Sequence, residues 1–323
     1  MPNTFLGLMF LELSRTVIST CTAGVVLLVI GVLAGRNDVA EARGLDRIVA
    51  LSNLCFAMPL AVFSMEHFFD ATSIMQLVPA YMPWRLFWAY FVGVGLLAAS
   101  LSIATKILVQ ASGLLFGIMM FSFVAMMDIP GALGSPHDRI AWVLLCRELS
   151  FGAGGLCLAA AAMERSRGAN WLATFGRVVI GFSAVFYGVE HFLHPLQVPA
   201  VPLEKVMPVW IPGRAIIDYV TGAILVVTGV GILMTRRMRS AATFLGSWVV
   251  LMVGVIYGPI LIASMQDPST AVKVEGINYF FDTLLYAGTV LAVAKAAAKL
   301  REGRPAFEQN EFPSAERTPG VAR

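Results

Sequence analysis

The side chains of this sequence best suited to chemistry lie in two similar polar stretches of an otherwise apolar chain. The first stretch, 66–85, contains an acid–histidine pair, two prolines and an arginine, and a comparable set returns at 190–214. Imidazole, carboxylate and guanidinium groups can hydrogen-bond a small polar ligand and carry protons. The two stretches are therefore the first candidates for a functional site.

The two stretches match residue by residue. A pattern P-x3-P-x-R-x4-Y-x2-G runs from Pro79 to Gly93 and again, without a gap, from Pro208 to Gly222. The second copy has a proline-rich insertion of five residues between its histidine and its first proline. The candidate ligand-binding residues of the first copy are Glu66, His67, Arg85, Tyr90 and Glu148, and their matches in the second are Glu190, His191, Arg214, Tyr219 and Asp282.

The composition predicts a membrane protein. Of the 323 residues, 58% are hydrophobic and only 13% are charged, so the chain lacks the charged surface of a soluble protein. A helix needs about 20 mostly apolar residues to cross the bilayer, and the segments are too long and too uniform for strands. Nine segments are predicted as transmembrane helices: 16–35, 48–65, 86–105, 108–128, 140–163, 172–189, 215–235, 241–264 and 277–298.

The repeat and the spans together predict an all-α polytopic bundle of about nine helices, in which a four-helix unit occurs twice after one extra helix. Because each unit has an even number of spans, the copies are parallel and related by a pseudo-twofold axis along the membrane normal. In this register Gly117 and Pro130 match Gly246 and Pro259. The predicted divisions are 1–47, an N-terminal helix and loop; 48–163 and 164–298, the two units; and 299–323, a disordered tail.

The positions of lysine and arginine predict the orientation. Basic residues concentrate in one set of connections and are sparse in the alternate set, which contains Arg85, Arg139, Lys205, Arg214 and Lys273. We therefore expect a plasma or inner membrane protein with its N-terminus outside and its C-terminus in the cytoplasm. Both polar stretches then lie at the outer face. A cleaved signal peptide is the alternative for the first segment, but three arginines after it favour a retained helix.

The acid–histidine pair closing a helix, the outer loop with two prolines, and the arginine and Tyr-x2-Gly opening the next helix resemble the DoxX-like membrane proteins. The resemblance covers about 48–298 and suggests a fused double DoxX-like unit. It implies four-helix membrane units linked to quinone-coupled oxidoreductases, such as membrane subunits of thiosulfate:quinone oxidoreductase, with quinone and a redox partner subunit as expected partners. The helix at 16–35 and the doubling depart from the single-unit pattern.

Two interpretations of the matched polar residues are open. All of them fall in the predicted outer third of the membrane, where an unpaired charge costs several kcal/mol. In the first interpretation Arg85 pairs with Glu66 or Glu148, the second copy does the same through Arg214, and the clusters only lock the outer loops. In the second, the residues line a pocket for a quinone headgroup, with histidine and tyrosine bonding the carbonyls and a carboxylate relaying protons.

Other functions are weighed on the same residues. Haem and metal are disfavoured, because His67 and His191 lie at helix ends beside loops and the chain has only four histidines. Without a basic stripe interleaved with aromatic residues, nucleic acid is not expected as a partner. The expected function is a membrane component of a quinone-linked redox process. The alternatives are a small-molecule transporter, disfavoured because polar groups are not expected in the inner half, and a non-catalytic scaffold.

Overall fold

The architecture is helical throughout the part of the chain that the structure describes, residues 14–201 and 204–302 of a computed structural model. Within these ranges no strand forms beyond an isolated bridge between Gln197 and Val206. Eight helices are long and apolar enough to cross a membrane. The predicted all-α polytopic fold is confirmed, while the predicted tail beyond residue 302 and the position of the N-terminus lie outside the described residues.

The helices, numbered in chain order, are α1 Arg15–Glu41, α2 Asp46–Ala50, α3 Ser52–Phe69, α4 Ala71–Ile74, α5 Arg85–Thr105, α6 Val109–Phe123, α7 Ile129–Gly134, α8 Arg139–Ala162, α9 Arg167–Leu193, α10 Arg214–Leu233, α11 Met238–Met252, α12 Gly258–Met265 and α13 Thr270–Glu302. A π-helical turn, Val124–Asp128, joins α6 to α7, and another, Val253–Tyr257, joins α11 to α12. Each joined pair forms one continuous span.

Helix α3 corresponds to the predicted segment 48–65 but is not among the eight apolar spans. Asn53, Glu66 and His67 lower its mean hydropathy. It nevertheless lies inside the bundle, where it packs against α1, α5 and α13 and Phe56 is fully buried. The bundle therefore contains the predicted ninth helix, held by contacts with protein rather than by contact with lipid.

The centre of the bundle is formed by α8 and α13, the two most buried of the eight spans. They pack against each other, α8 also packs against α9, and α13 also packs against α3. Within each half the first helix packs on the second and the third on the fourth. This is the pairing expected of two parallel four-helix units around a twofold axis. The repeat and its boundaries stay predictions.

Each π-helical turn ends two residues before one of the matched prolines, Pro130 and Pro259. Proline lacks the N–H that would bond the carbonyl four residues earlier, and its ring clashes with that carbonyl. A wider turn at this point relieves the clash. The residues before α5 and α10 also share a conformation, since Trp84 and Gly213 both have positive φ, 53° and 67°.

Several helices extend beyond the predicted apolar segments. The segments 172–189 and 277–298 lie inside the longer helices α9 and α13. Hydropathy falls at polar side chains, but the backbone stays helical there because the polar groups find partners inside the bundle. Glu190 and His191 consequently lie in the last turn of a helix.

Large apolar side chains cover the outside of the bundle. Val25 of α1, Phe91 of α5, Leu115 of α6 and Val227 of α10 are each more than half exposed. A soluble protein rarely exposes so much apolar surface. These faces are suited to contact with lipid chains, as the predicted bilayer partner requires.

Close helix packing depends on small residues, and Gly288 of α13 gives a test. A Cβ atom at this position would lie 2.7 Å from the backbone nitrogen of Phe56 in α3. Because backbone cannot move aside cheaply, Gly288→Ala is expected to lower the free energy of unfolding by about 1–3 kcal/mol. The melting temperature in detergent measures this.

Gly95→Ala is the matched control, because nothing lies within 4 Å of a Cβ atom built there. We expect its melting temperature to equal or exceed that of the parent protein, since alanine favours a helix over glycine. Equal melting temperatures for the two variants would contradict the close contact of α3 and α13.

Candidate functional site

The most concentrated polar contacts surround Arg147 in α8. Its Nη2 lies 3.0 Å from Glu148 Oε1, and its Nη1 lies 3.1 Å from Asp282 Oδ2 and 3.6 Å from Glu204 Oε1. All four side chains are at least three-quarters buried. We call these residues the Arg147 cluster. Because buried charges need partners, the cluster ties α8, α13 and the loop 194–213 together.

Arg147 and Glu204 were not among the predicted site residues. Arg147 is matched in the second copy by Phe281, so a search for polar residues shared by both copies passes over it. The available signal was its position within an apolar span, where a charged side chain is costly and marks a functional or structural site. Glu204 lies in the longer second loop and carries no comparable signal.

Glu66, Glu148 and Asp282 are the predicted residues that the fold brings together. Glu66 is 8% exposed, lies next to the side-chain amide of Asn278, and lies within electrostatic reach of Asp282. Its Oε1 atom is buried and finds no hydrogen-bond partner among residues 14–201 and 204–302. Carboxyl groups from both halves therefore meet between α3, α8 and α13.

The expected pairs of Arg85 and Arg214 with carboxylates are wrong. Arg85 donates from Nε to Val78 O at 2.9 Å and from Nη2 to Gln76 O at 2.9 Å. Arg214 donates from Nη1 to Met207 O at 3.0 Å. Each arginine thus binds carbonyl groups of the loop just before its own helix, because those carbonyls are close at hand and lack helical partners.

Tyr90 and Tyr219 lie on the outside of the bundle and not in a shared pocket. They are 42% and 46% exposed. Tyr90 stacks on Phe68 with ring centroids 6.5 Å apart, and Tyr219 stacks on Phe192 at 6.0 Å. Their rings pack between the first and second helices of each half.

The two predicted histidines have structural contacts. His191 is fully buried, its Nδ1–H donates to Tyr187 O, and its Nε2 accepts from the N–H of Ala200 at 2.8 Å. Both of its nitrogens are therefore engaged with the backbone, which leaves neither for haem iron or a metal ion. His67 donates from Nδ1 to Phe63 O at 2.8 Å.

Glu190 lies apart from the Arg147 cluster. One carboxylate oxygen is 3.3 Å from Arg139 Nη1 and 3.7 Å from His194 Nε2. The Arg139–Glu190 ion pair joins the end of α9 to the start of α8. Over the described part of the chain, no group of three or more histidine, cysteine, aspartate or glutamate side chains is arranged to hold a metal ion.

The loop 194–213 folds into the bundle. Its segment 198–201 is almost fully buried, and Ala200 has a positive φ of 71°. The Tyr257 hydroxyl donates to Pro199 O, and the Thr283 hydroxyl donates to Val201 O. The insertion predicted in the second copy lengthens this loop. The corresponding connection of the first copy begins with the short helix α4.

A cleft of about 220 Å³ lies between this loop, α12 and α13. The Tyr279 hydroxyl donates to Glu204 Oε2 at 3.3 Å, so the cleft is connected to the Arg147 cluster. At the surface Lys205 Nζ lies 2.8 Å from Glu275 Oε1, and this hydrogen bond raises the pKa of Lys205, which keeps the ammonium charged. The lining residues are Val198, Lys205, Val206, Pro208, Tyr257, Ile260, Ser264, Glu275, Gly276 and Tyr279.

Asp218 of α10 is a further buried acid close to the cleft. The residue is fully buried, and Tyr257 lies within its electrostatic reach. Neither carboxyl oxygen has a hydrogen-bond partner in the portion of the chain that is described.

The opposite end of the bundle also contains buried polar groups. Lys295 Nζ of α13 donates to Asn53 Oδ1 of α3 at 2.6 Å, and Asn53 Nδ2 donates to Ile103 O at 3.0 Å. The expectation that the inner half lacks polar groups is therefore wrong. The amide of Asn53 and the amine of Lys295 satisfy each other where α3 begins and α13 nears its end.

The fold and the cluster define a polytopic helical membrane protein with a buried ionic centre. Comparison with protein-family models, curated proteins and solved structures finds no match for the chain. The resemblance to DoxX-like proteins therefore stays an expectation from the sequence.

Arg147→Gln should destabilise the protein strongly. The change removes the cation that three buried carboxylates share, and loss of one partner of a buried ion pair costs about 3–5 kcal/mol. Lys106→Gln is the control, because the Lys106–Asp38 pair is exposed and should contribute about 0–1 kcal/mol. Urea or thermal unfolding in detergent compares them. Equal losses would contradict the structural role of the cluster.

His191→Ala should loosen the loop 194–213 by removing the acceptor for the Ala200 N–H. We expect faster tryptic cleavage after Lys205, whose side chain is more than half exposed, as local opening becomes more frequent. His67→Ala is the control, because it removes the matched histidine, whose ring bonds the carbonyl of Phe63 in its own helix. Equal cleavage rates in both variants would refute the role of His191.

Proposed function

We propose that this chain is a membrane component of a quinone-linked redox process and that the cleft beside the loop 194–213 binds the quinone headgroup. The observation that carries the proposal is the connection of the cleft, through Tyr279 and Glu204, to the Arg147 cluster. The resemblance to DoxX-like proteins points to the same activity. The site differs from the one expected, since none of the ten matched residues lines the cleft.

The size and lining of the cleft suit a single-ring headgroup. Pockets for drug-sized ligands usually exceed about 300 Å³, and this cleft is smaller. Val198 and Ile260 offer apolar surface to a ring, and Lys205 offers N–H donors to one carbonyl oxygen. The single O–H of Tyr279, which donates to Glu204 in the structure, turns to the other carbonyl oxygen on binding. The apolar exterior of the bundle leaves the isoprenoid tail in lipid.

The reaction needs both electrons and protons. Reduction of a quinone to its quinol takes up two electrons and two protons, and quinol oxidation returns them. A redox protein or partner subunit of the same membrane exchanges the electrons. Tyr279, Glu204 and the carboxylates around Arg147 form the contact line along which protons pass between the cleft and the bundle interior. The protein's own part is to bind the headgroup and conduct protons.

A small-molecule transporter is the second candidate, and the buried Asn53–Lys295 pair favours it. Polar groups at both ends of the α3–α13 interface are what a path across the membrane would need. Between these ends, Gly288 of α13 lies against the backbone of the fully buried Phe56 of α3. Transport therefore requires these helices to separate, whereas headgroup binding leaves their packing unchanged.

Tyr279→Phe tests the headgroup site. A short-chain ubiquinone and a short-chain menaquinone should both quench the fluorescence of the purified protein on binding. Loss of one hydrogen bond should weaken binding about fivefold to tenfold. Tyr90→Phe is the control, because its ring is exposed and remote from the cleft lining.

Other outcomes of these measurements would contradict the headgroup site or favour another function. If neither quinone binds, or if Tyr90→Phe weakens binding as much as Tyr279→Phe, the proposed site is refuted. Solute uptake into proteoliposomes that requires Lys295, without quinone binding, would favour the transporter. If neither binding nor uptake is found, a scaffold role follows.

A further inference from the structure

Glu66 and Glu190 occupy equivalent places in the fold. The carbonyl of Glu66 accepts a hydrogen bond from the N–H of Asp70 at 2.8 Å, and the carbonyl of Glu190 accepts one from His194 at 2.8 Å. Each glutamate thus lies in the last turn of the first helix of its half. Their exposed fractions are 8% and 9%. The two carboxyl groups are therefore matched in position and in burial.

Their electrostatic surroundings are opposite. Glu190 has the Arg139 guanidinium at 3.3 Å and the imidazole of His194 at 3.7 Å. Glu66 has the neutral amide of Asn278, and the charged groups that act on it, Asp282 and Asp70, are both acidic. Its Oε1 has no partner in the two described ranges. One carboxylate is thus neutralised and the other is not.

Neither Lys273 nor Arg147 neutralises Glu66. Lys273 takes the place of Arg139 in the second half, in the register that matches Glu148 with Asp282. It forms no salt bridge with Glu66 among the residues described. The charge of Arg147 is already shared by Glu148, Glu204 and Asp282. An ionised Glu66 would therefore add a negative charge beside a group that already has more carboxylates than cations.

We propose that Glu66 is a proton-binding site: its carboxyl group holds an exchangeable proton in the folded protein, whereas Glu190 is the ionised partner of Arg139. A buried carboxylate without a cation costs several kcal/mol, and proton uptake removes that cost. The protonated group also gains an O–H that can donate a hydrogen bond to Asn278 Oδ1. This oxygen is itself buried and has no partner in the described part of the chain.

The position of Glu66 would allow its proton to be passed to the quinone site. Glu66 lies beside Asp282, which contacts Arg147, and Arg147 contacts Glu204 at the edge of the cleft. A proton released from Glu66 therefore enters the contact line that leads to Tyr279. This use as a proton store for the quinone rests on the proposed function. The protonation of Glu66 does not.

Dicyclohexylcarbodiimide distinguishes the two glutamates. A protonated carboxyl group adds to the N=C=N group of the reagent: its oxygen bonds the central carbon and its proton goes to one nitrogen. The acyl group then moves from that oxygen to a nitrogen, which gives a stable N-acylurea without a leaving group. Purified protein in detergent at neutral pH, without added quinone, is treated, digested and mapped by mass spectrometry. We expect the label on Glu66, absent from Glu190, and declining as the pH rises.

Variants complete the test. Glu66→Gln should lose the label at that peptide, and Glu190→Gln should keep it. Peptide mapping separates Glu66 from Asp218, Asp128 and Glu204, which also have buried carboxyl oxygens without a hydrogen-bond partner among the described residues. An infrared band of a protonated carboxyl group that shifts in D2O and is missing in Glu66→Gln provides a reading independent of reagent access.

Two outcomes would overturn the proposal: label on Glu190 equal to that on Glu66, or no carboxyl band that depends on Glu66. Because neither measurement uses quinone, either result can occur while quinone still binds. Conversely, failure of quinone binding would leave a labelled Glu66 intact. The proton site and the headgroup site can therefore be refuted separately.

Discussion

A desolvated guanidinium must have anions around it, and the arrangement of this bundle follows from how Arg147 obtains them. Its own helix supplies Glu148, the opposite half supplies Asp282, and the loop 194–213 must fold inward to supply Glu204. The same loop is held by His191, Tyr257 and Thr283. The cation therefore fixes the contact of α8 with α13 and the position of the loop that borders the cleft.

The two halves have the same order of helices but differ in the loops and ion pairs at their helix ends. In the first half, Arg85 holds a surface loop by its carbonyl groups, and the end of α3 leaves Glu66 without a cation. In the second half the longer loop enters the bundle, and Arg139 neutralises Glu190. Glu148, Glu204 and Asp282 surround the single cation Arg147, and the predicted repeat matches Arg147 with Phe281, which supplies no second charge. An excess of acid at the centre is the direct result, and this excess makes protonation rather than ion pairing the way to bury Glu66.

Buried polar groups occur at both ends of the interface between α3 and α13. Glu66, Asn278 and Asp282 lie at one end, and Asn53 and Lys295 at the other. The middle of the interface is apolar and tightly packed, with Gly288 against the backbone of Phe56. Proton movement within one end needs only short transfers between neighbouring groups. Passage of a solute from end to end would need the helices to part, and the close backbone contact resists that.

Apolar segment length was enough to predict the helical membrane fold, and eight of the nine predicted spans are long and apolar enough to cross a membrane. The length and hydropathy of a segment are local properties of the chain, so they can be read without the tertiary structure. The sequence also predicted the polar residues at the helix ends, but not their partners. Arg85 and Arg214 bind loop carbonyls, Tyr90 and Tyr219 stack on the outside, and His191 holds Ala200. Those outcomes depend on which groups lie within about 3 Å after folding. The tertiary structure alone decided that Arg147 and Glu204 join Asp282, because an ion pair between residues far apart in sequence exists only where packing brings two helices and a loop to the same point.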